Sequence, residues 1–494
     1  MPVYKAMNNQ QRTDTVVFIY PKLKNRHSDR IYAPHAFLFI AASLEKHGYK
    51  TELIDARLNG VDYVTLVKEA VAKKPAFIGI SSLTGFQVKH GIEIVELIKK
   101  TDSNTPVVWG GIHSSLFPEH ILDHSKTDIV VIGEGEETVI ALANHLTGKS
   151  DARLDEINGI AFRDDESIHQ VAPRAMIDME RLPIPAWHLI KDQLPNYISD
   201  GAVHLMTSRG CPFKCNFCYN TTFNKRRWRK RDTNRVLQEV DWLVANSPVK
   251  FHKILFTDDN FFTNKDRALE ICAEVAKRNL KMHVDIRIHM ITEELMENIF
   301  RYGVHDFYFG IESGSDNVLK LMDKGISVQD TVNTVNILKK YPVKAVFSCI
   351  LSFPGEEIKD VKQTLALASF IYKAITNFNM DQNSAILMNI FRAYPGTEHF
   401  NKHKGKLDLT DPETINWNTG ANNEFVSDRK FIECICTLFR FLNEKNIFHR
   451  YQFAKALVVF LLNKSAHLRV KHGLFRFPIE FMLMNSIIQR FRIL

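Results

Sequence analysis

The sequence predicts an α/β chain in three parts: an open, doubly wound parallel sheet, then a partial (β/α)6 barrel, then an α-helical region. Three observations carry this expectation. From Thr15 to about Leu146, apolar runs of strand length alternate with helical patterns, as in βαβ units packed into a parallel sheet with helices on both faces. The alternation resumes near Val203 and continues to about residue 400, each apolar run ending in polar residues, as at the carboxyl rim of a barrel. Strand patterns then cease, and residues 421–494 hold 12 Lys and Arg against 5 Asp and Glu, a net +7 within a chain of net +8. The expected limits are 1–149 for the first sheet, 150–200 for a joining segment, 201–400 for the barrel and 401–494 for the helical region. At about 100–200 residues per domain, 494 residues accommodate two full domains and a tail.

In the first part the expected strands are Thr15–Tyr20, Thr51–Ala56, Phe77–Leu83, Pro106–Gly111 and Asp128–Gly133. Between them lie helical patterns such as Gln87–Lys100 and Ala36–His47. In the latter, Phe37, Ile40, Ala41 and Leu44 recur at i, i+3, i+4 and i+7. Ligands of such sheets bind beyond the carboxyl ends of the strands. Those ends carry Asp55-Ala-Arg-Leu-Asn-Gly60, Ser81-Ser82-Leu83-Thr84-Gly85, Gly110-Gly111 and Gly133-Glu134-Gly135-Glu136, where glycine lets a large flat ligand approach the backbone. In the joining segment, Gly159–Arg163 and Ile168–Val171 read as a small hairpin, and Pro183, Pro185 and Trp187 as an extended crossing.

The barrel strands are expected at Val203–Thr207, Ile254–Thr257, Val284–Ile288, Asp306–Gly310, Ala345–Leu351 and Ala385–Ile390. After the first comes the run Cys211-Pro-Phe-Lys-Cys215-Asn-Phe-Cys218. Thiolates are the usual ligands of iron–sulfur clusters, and three of them on one loop leave one iron of a cubane without a protein ligand. An open iron implies chemistry beyond electron storage. The alternatives are a structural zinc, which needs four tetrahedral ligands, and a disulfide framework. His204 and His252 lie at no usual zinc-ligand spacing from the triplet, and the seven cysteines are odd in number and sparse. Cys272, Cys349, Cys434 and Cys436 lie in apolar surroundings and read as buried small hydrophobes.

With Phe217 just before its last cysteine, the Cys-x3-Cys-x2-Cys run resembles the cluster loop of radical S-adenosylmethionine enzymes. The glycine-rimmed sheet before it is similar to the cobalamin-binding domain that precedes many of their barrels. The resemblance implies a 4Fe-4S cluster on Cys211, Cys215 and Cys218, with the methionine part of S-adenosylmethionine on the open iron. A 5′-deoxyadenosyl radical would then abstract hydrogen from an unactivated carbon, the protein supplying position and shielding. It implies Phe217 by the adenine, Asp258, Asp259 and Asn260 near the methionine amino group, and Arg287, Glu312 and Ser313 around the carboxylate and ribose. Pro354-Gly355-Glu356 would shape the adenine side. Cobalamin would meet Ser81, Ser82, Leu83, Gly110, Gly111, Gly133 and Glu134. Family members that place a histidine under cobalt carry Asp-x-His-x-x-Gly, whereas this chain has Asp55-x-Arg57-x-x-Gly60. Cobalamin is therefore expected base-off without a protein histidine; the alternative is a domain kept as scaffold after losing it.

The reaction implied is methylation of an unactivated carbon in a small or hydrophobic metabolite, giving both S-adenosylhomocysteine and 5′-deoxyadenosine. Radical cyclisation, ring contraction or oxidation is the enzymatic alternative, and a cobalamin or iron–sulfur sensor the non-enzymatic one. An electron donor such as flavodoxin or ferredoxin is implied as partner.

Asn224-Lys-Arg-Arg-Trp-Arg-Lys-Arg231 is a dense basic run. A single run without a wider basic domain does not make a nucleic-acid site, and none is expected. Arg429–Glu444 and Arg450–Leu462 read as helices, followed by Phe475, Phe477, Phe481, Met482, Leu483, Met484, Ile487 and Ile488 beside Arg476, Arg490 and Arg492. Such basic amphipathic segments cap a core or lie on an anionic membrane; a cap over the barrel is the favoured expectation. The longest unbroken apolar run there, Ala456 to Leu462, is seven residues, against about twenty for a membrane span. With Met1–Thr13 polar and no signal peptide, cytoplasmic residence is expected, with peripheral contact at the inner membrane surface as the variant.

Overall fold

The computed structural model describes residues 12–23, 31–164, 167–403, 429–445 and 453–475. The expected aromatic and basic positions from Arg476 to Arg492, the expected helix start at Arg450 and part of the hairpin turn lie outside the described residues. The chain divides into two compact units. The first comprises Met1–Gly210, Tyr219–Leu255 and Tyr394–Gly420, and the second Cys211–Cys218, Phe256–Ala393 and Ala421–Leu494.

The first sheet contains β1 (Thr15–Tyr20), β2 (Lys50–Asp55), β3 (Phe77–Ser81), β4 (Val107–Gly110), β5 (Ile129–Val131), β6 (Ile160–Arg163) and β7 (Ile168–Gln170), in the order β2-β1-β3-β4-β5-β6-β7. The first five run parallel, with β1 paired to both β2 and β3. Strand order thus reverses at β1, and a crevice opens beyond the carboxyl ends of β1 and β3. Both faces are covered, so these strands are nearly continuous apolar runs. Val16, Phe18 and Phe77 pack with Phe37, Ala41 and Leu44 of the helix His35–Lys46, while Val17, Ile19, Ile78 and Ile80 pack with Val67, Val71, Ile94 and Ile98. The expected hairpin is present as antiparallel β6 and β7, and β6 pairs with β5. It therefore extends the first sheet beyond the expected limit at residue 149.

The second sheet has six strands, the number expected: β8 (Ala202–Leu205), β11 (Lys253–Phe256), β12 (Lys281–Asp285), β13 (Val304–Glu312), β14 (Lys344–Leu351) and β15 (Ala385–Ile390). Their order is sequential, β15-β14-β13-β12-β11-β8, as in an opened (β/α) barrel. The two short strands β9 (Ser208–Arg209) and β10 (Arg229–Lys230) form a separate antiparallel ribbon.

Two described C-terminal helices, Arg429–Leu442 and Phe453–His472, belong to the second unit. Ile435, Leu438 and Phe439 of the first are buried, and Ala466 and Val470 of the second. Asn443 donates to the carbonyl of Ile386 at 2.7 Å and accepts from its N–H at 3.3 Å, which pairs the backbone of that residue on the outer edge of β15. Ser369 donates to the carbonyl of Val470 at 2.6 Å. These contacts pack the two helices against β15, the helix Ile358–Asn377 and each other. No described helix is long and apolar enough to cross a membrane.

After β13 the chain turns at Gly314, where an added Cβ would lie 2.6 Å from the carbonyl oxygen of Gln363 and from Cα of Thr364 in the helix Ile358–Asn377. Both atoms are backbone and cannot swing aside. Gly314→Ala is expected to cost about 1–3 kcal/mol, read as a lower urea midpoint; an unchanged midpoint would mean the helix shifts freely.

Candidate active site

Cys211, Cys215 and Cys218 are free thiols on the segment entering the second unit, Cys215 buried and the other two partly exposed. The loop has little regular structure and is held by its neighbours. Asn216 donates from its side chain to the carbonyl of Leu321 at 2.7 Å and from its backbone to that of Met322 at 3.2 Å. The Arg287 guanidinium lies 3.8 Å from the ring centroid of Phe213 and places Nη1 at 3.5 Å from Sγ of Cys215. Burial raises the Cys211 thiol above its ordinary value, and the backbone N–H of Phe213 and the charge of Arg287 oppose that rise. Among the described residues no group of three or more His, Cys, Asp or Glu stands close enough together to hold one ion. A cubane presents a separate iron to each thiolate, and the three-thiol donor set fits it.

The polar ends of β11 to β14 form the surroundings. Asp258 and Asn260 are buried. Asn260 donates to Thr263 at 3.0 Å, and its buried Oδ1 has no hydrogen-bond partner; such an acceptor suits an ammonium group. Asp259 follows Asp258 in the same turn but is more exposed. Phe217 faces Phe353 edge-on at 6.4 Å, so the aromatic before the last cysteine meets the Phe353-Pro354-Gly355-Glu356 turn. Glu312 and Ser313 have internal partners. At a β-bulge, Glu312 takes a left-handed φ of 59°, and it accepts from Lys324 Nζ at 2.6 Å. A Cβ on Gly310 would come within 2.3 Å of that carboxylate. Ser313 lies 3.1 Å from the Thr364 hydroxyl. Arg287, grouped with them on sequence, stands against the cysteine loop and donates to the carbonyl of Lys324, the residue whose Nζ pairs with Glu312. Lys324 was not anticipated: nothing in its local sequence marks a lysine only 8% exposed, whose Nζ sits 5.8 Å over the Phe217 ring.

In the first unit, a cavity of about 210 Å³ opens at the carboxyl ends of β1, β3, β4 and β5. Ser81, Gly110, Gly111, Gly133 and Glu134 line it, together with apolar side chains including Phe18, Phe37, Phe77 and Val108. Gly111 has φ 102°, and a Cβ there would lie 2.7 Å from the Ser81 hydroxyl, so no other residue lets these strand ends approach so closely. Ser82 and Leu83 are not on the wall. The Ser82 hydroxyl accepts from the Trp109 indole at 3.0 Å, and Leu83 is 45% exposed on the rim. The volume is below the roughly 300–1,000 Å³ of pockets that engulf a drug-sized ligand. It suits one flat ring system, such as the free base of a base-off cobalamin. Arg57 is committed to Asp55 through Nε at 2.8 Å and Nη2 at 2.6 Å, stacks on Tyr20, and shares Asp55 with the Tyr197 hydroxyl. His35, unanticipated, lines the cavity but donates Nε2 to the carbonyl of His204 at 2.9 Å.

Glu356 accepts from the backbone N–H of Ser352 through one oxygen, while its other oxygen is buried without a partner. Burial pushes its carboxyl up to about 7. The native state therefore holds this proton more tightly than the unfolded chain, whose value is near 4.5. The resulting stabilisation is complete below pH 4.5 and is lost as pH rises through about 7. Glu356→Gln is expected to remove this part of the decline when urea midpoints at about pH 5 and about pH 8 are compared. Parallel declines in both proteins would reject the assignment.

The profile of the B12 binding domain matches residues 25–143 and that of the radical SAM superfamily residues 205–368. The chain is 30% identical over 341 residues to an uncharacterized methyltransferase of Pyrococcus horikoshii, covering 68% of this chain and 73% of that one. It is 27% identical over 361 residues to an anaerobic magnesium-protoporphyrin IX monomethyl ester cyclase of a Synechocystis species, covering 72% and 71%. The solved structure of OxsB, a cobalamin-dependent S-adenosylmethionine radical enzyme, superimposes with a TM-score of 0.73 at 18% identity, over 96% of this chain and 75% of that one, and so shares the fold. The chain belongs to the radical S-adenosylmethionine superfamily, among the members that carry a B12-binding domain ahead of the radical domain.

Proposed function

We propose that this enzyme uses a 4Fe-4S cluster, S-adenosylmethionine and a base-off cobalamin to methylate an unactivated carbon of a small or hydrophobic metabolite. The observation that carries the reading is the presence in one chain of a three-cysteine loop and an apolar, glycine-walled cavity at a strand-order reversal. When bound, these groups supply a 5′-deoxyadenosyl radical for hydrogen abstraction and a methyl group for transfer.

The chain's own residues provide the setting. Cys211, Cys215 and Cys218 give three thiolates and leave one iron of a cubane open. Arg287 donates Nη1 towards Sγ of Cys215 at 3.5 Å and so helps to fix the position of that sulfur. Asn260 offers its free Oδ1 to the methionine ammonium, with Asp258 and Asp259 beside it. Phe217 and Phe353 give the adenine an apolar wall. Ser81, Gly110, Gly111 and Gly133 hold the cobalamin, with Ser82 and Leu83 following Ser81 beyond the end of β3. Because Asp55 holds Arg57, that turn offers cobalt no imidazole. We place the division of labour at 1–149 for cobalamin, 150–200 as the join, 201–400 for the radical domain and 401–494 as cap and substrate region. Radical cyclisation, ring contraction or oxidation is the second reading, supported by the similarity to the Synechocystis cyclase.

The partners that fit are a small-molecule substrate, a flavodoxin- or ferredoxin-type electron donor and, in a cytoplasmic setting, an anionic membrane surface. The membrane contact rests on the helix Phe453–His472 and its end, where Val458, Leu461, Leu468 and Leu474 are exposed beside Lys464 and Lys471. Leu461→Ser with Leu468→Ser is expected to weaken flotation with phosphatidylglycerol vesicles several-fold. A wild-type protein that does not float would reject the contact.

Turnover tests the main reading. Under anaerobic conditions with reductant, S-adenosylmethionine and hydroxocobalamin, the reconstituted enzyme is expected to form 5′-deoxyadenosine, and with its substrate S-adenosylhomocysteine as well. Cys211→Ala, Cys215→Ala and Cys218→Ala are each expected to reduce deoxyadenosine to background. Deoxyadenosine without S-adenosylhomocysteine, given the true substrate, would select the second reading; none from the wild type would reject both.

A further inference from the structure

β9 and β10 pair with Arg209 opposite Arg229, and the segment they close, residues 210–228, contains all three loop cysteines. The two ends of the segment touch just inside this ribbon. Gly210 has φ 86°, and a Cβ there would lie 2.0 Å from the carbonyl oxygen of Arg227. From the ribbon, Arg209 reaches Glu134 at 2.9 Å and Glu136 at 2.6 Å, and Arg229 reaches the other oxygen of Glu134 at 2.5 Å. The backbone N–H of Ile177 donates to Glu134 as well, at 2.9 Å. The side chains of Glu134 and Glu136 are only 9% and 3% exposed. Burial alone would raise the Glu134 carboxyl, but Arg209 and Arg229 outweigh it and hold it below its ordinary value.

The same turn, Glu134-Gly135-Glu136, forms part of the cavity wall, as does Arg209. Phe223, on the short helix Asn220–Phe223 that follows the cysteines, borders the cavity too. Residues before and after the cysteine run thus border the space that the proposed function assigns to cobalamin.

We propose that Glu134, Glu136 and Phe223 couple occupancy of this cavity to the geometry of the 210–228 segment, so that cobalamin in the cavity and a cluster on the cysteines stabilise each other. This rests on the cofactor assignment above. A ligand in the cavity fixes the Gly135 turn and the Phe223 ring. The turn cannot shift without carrying its buried carboxylates, and the arginines must follow, because a buried charge left unpaired is strongly unfavourable. The coupling is reciprocal by linkage.

The test uses the full-length, cluster-reconstituted protein and follows cluster loss to a ferrous chelator by absorbance, with and without hydroxocobalamin. Cobalamin is expected to slow the loss by about fivefold or more, and cobalamin affinity to be tighter for cluster-loaded than for cluster-free protein. Phe223→Ala, which leaves the ion pairs in place, is expected to bind cobalamin yet lose most of the protection, and Glu136→Gln to behave likewise, with Glu136→Asp restoring part of it. Equal loss rates in wild-type protein whose spectrum shows bound cobalamin would overturn the coupling while leaving the cofactor assignment standing. Undiminished protection in both Phe223→Ala and Glu136→Gln would overturn the assignment to these residues. Absence of any cobalamin binding would overturn the function proposed above together with the coupling.

Discussion

Two arginines and two glutamates meet at the foot of the cysteine-bearing segment, and their mutual neutralisation ties both ends of that segment to the turn Glu134-Gly135-Glu136. An isolated buried ion costs several kcal/mol, so Glu134 and Glu136 keep their arginines wherever the segment goes. Beyond the ribbon the segment has only one short helix, Asn220–Phe223. Its course is otherwise set by its ends and by contacts such as those of Asn216 with Leu321 and Met322. A loop required to bind a bulky inorganic group gains little from internal regularity and much from rigid supports.

Two other arginines show how one side chain serves opposite ends. Arg57 gives both oxygens of Asp55 a partner and lies over Tyr20; its charge is consumed locally, and the turn that elsewhere carries a histidine becomes a closed structural knot. Arg287 has no carboxylate within ion-pair reach among the described residues, and its Nε is buried without a partner. Its charge is directed at the cysteine loop, where a thiolate is the natural complement.

Much of this organisation is legible in the sequence. Thr15–Tyr20 and Ala385–Ile390 are strands over the expected residues, because each is a sharply bounded apolar run. The strand expected at Val284–Ile288 is found at Lys281–Asp285. There the alternation of Met282, Val284, Ile286 and Ile288 continues past the strand into the turn Ile288–Met290, so the pattern overshoots the pairing. The three cysteines and the glycine rim stand out because their chemistry and spacing are local. Partnerships across the chain are not local. Lys324 with Glu312, Ser313 with Thr364, Glu134 with Arg209 and Arg229, and Phe223 at the cavity each depend on where distant segments are brought together. A charged residue destined for burial looks in sequence like any exposed one.

In the function proposed above, three cysteines hold a cluster with one iron left for a ligand. Electron paramagnetic resonance of the reduced, reconstituted protein tests it most directly, with spectra taken before and after addition of S-adenosylmethionine. A 4Fe-4S signal whose g-values shift on addition is expected, because the open iron gains a ligand. A signal unchanged by saturating S-adenosylmethionine would contradict it.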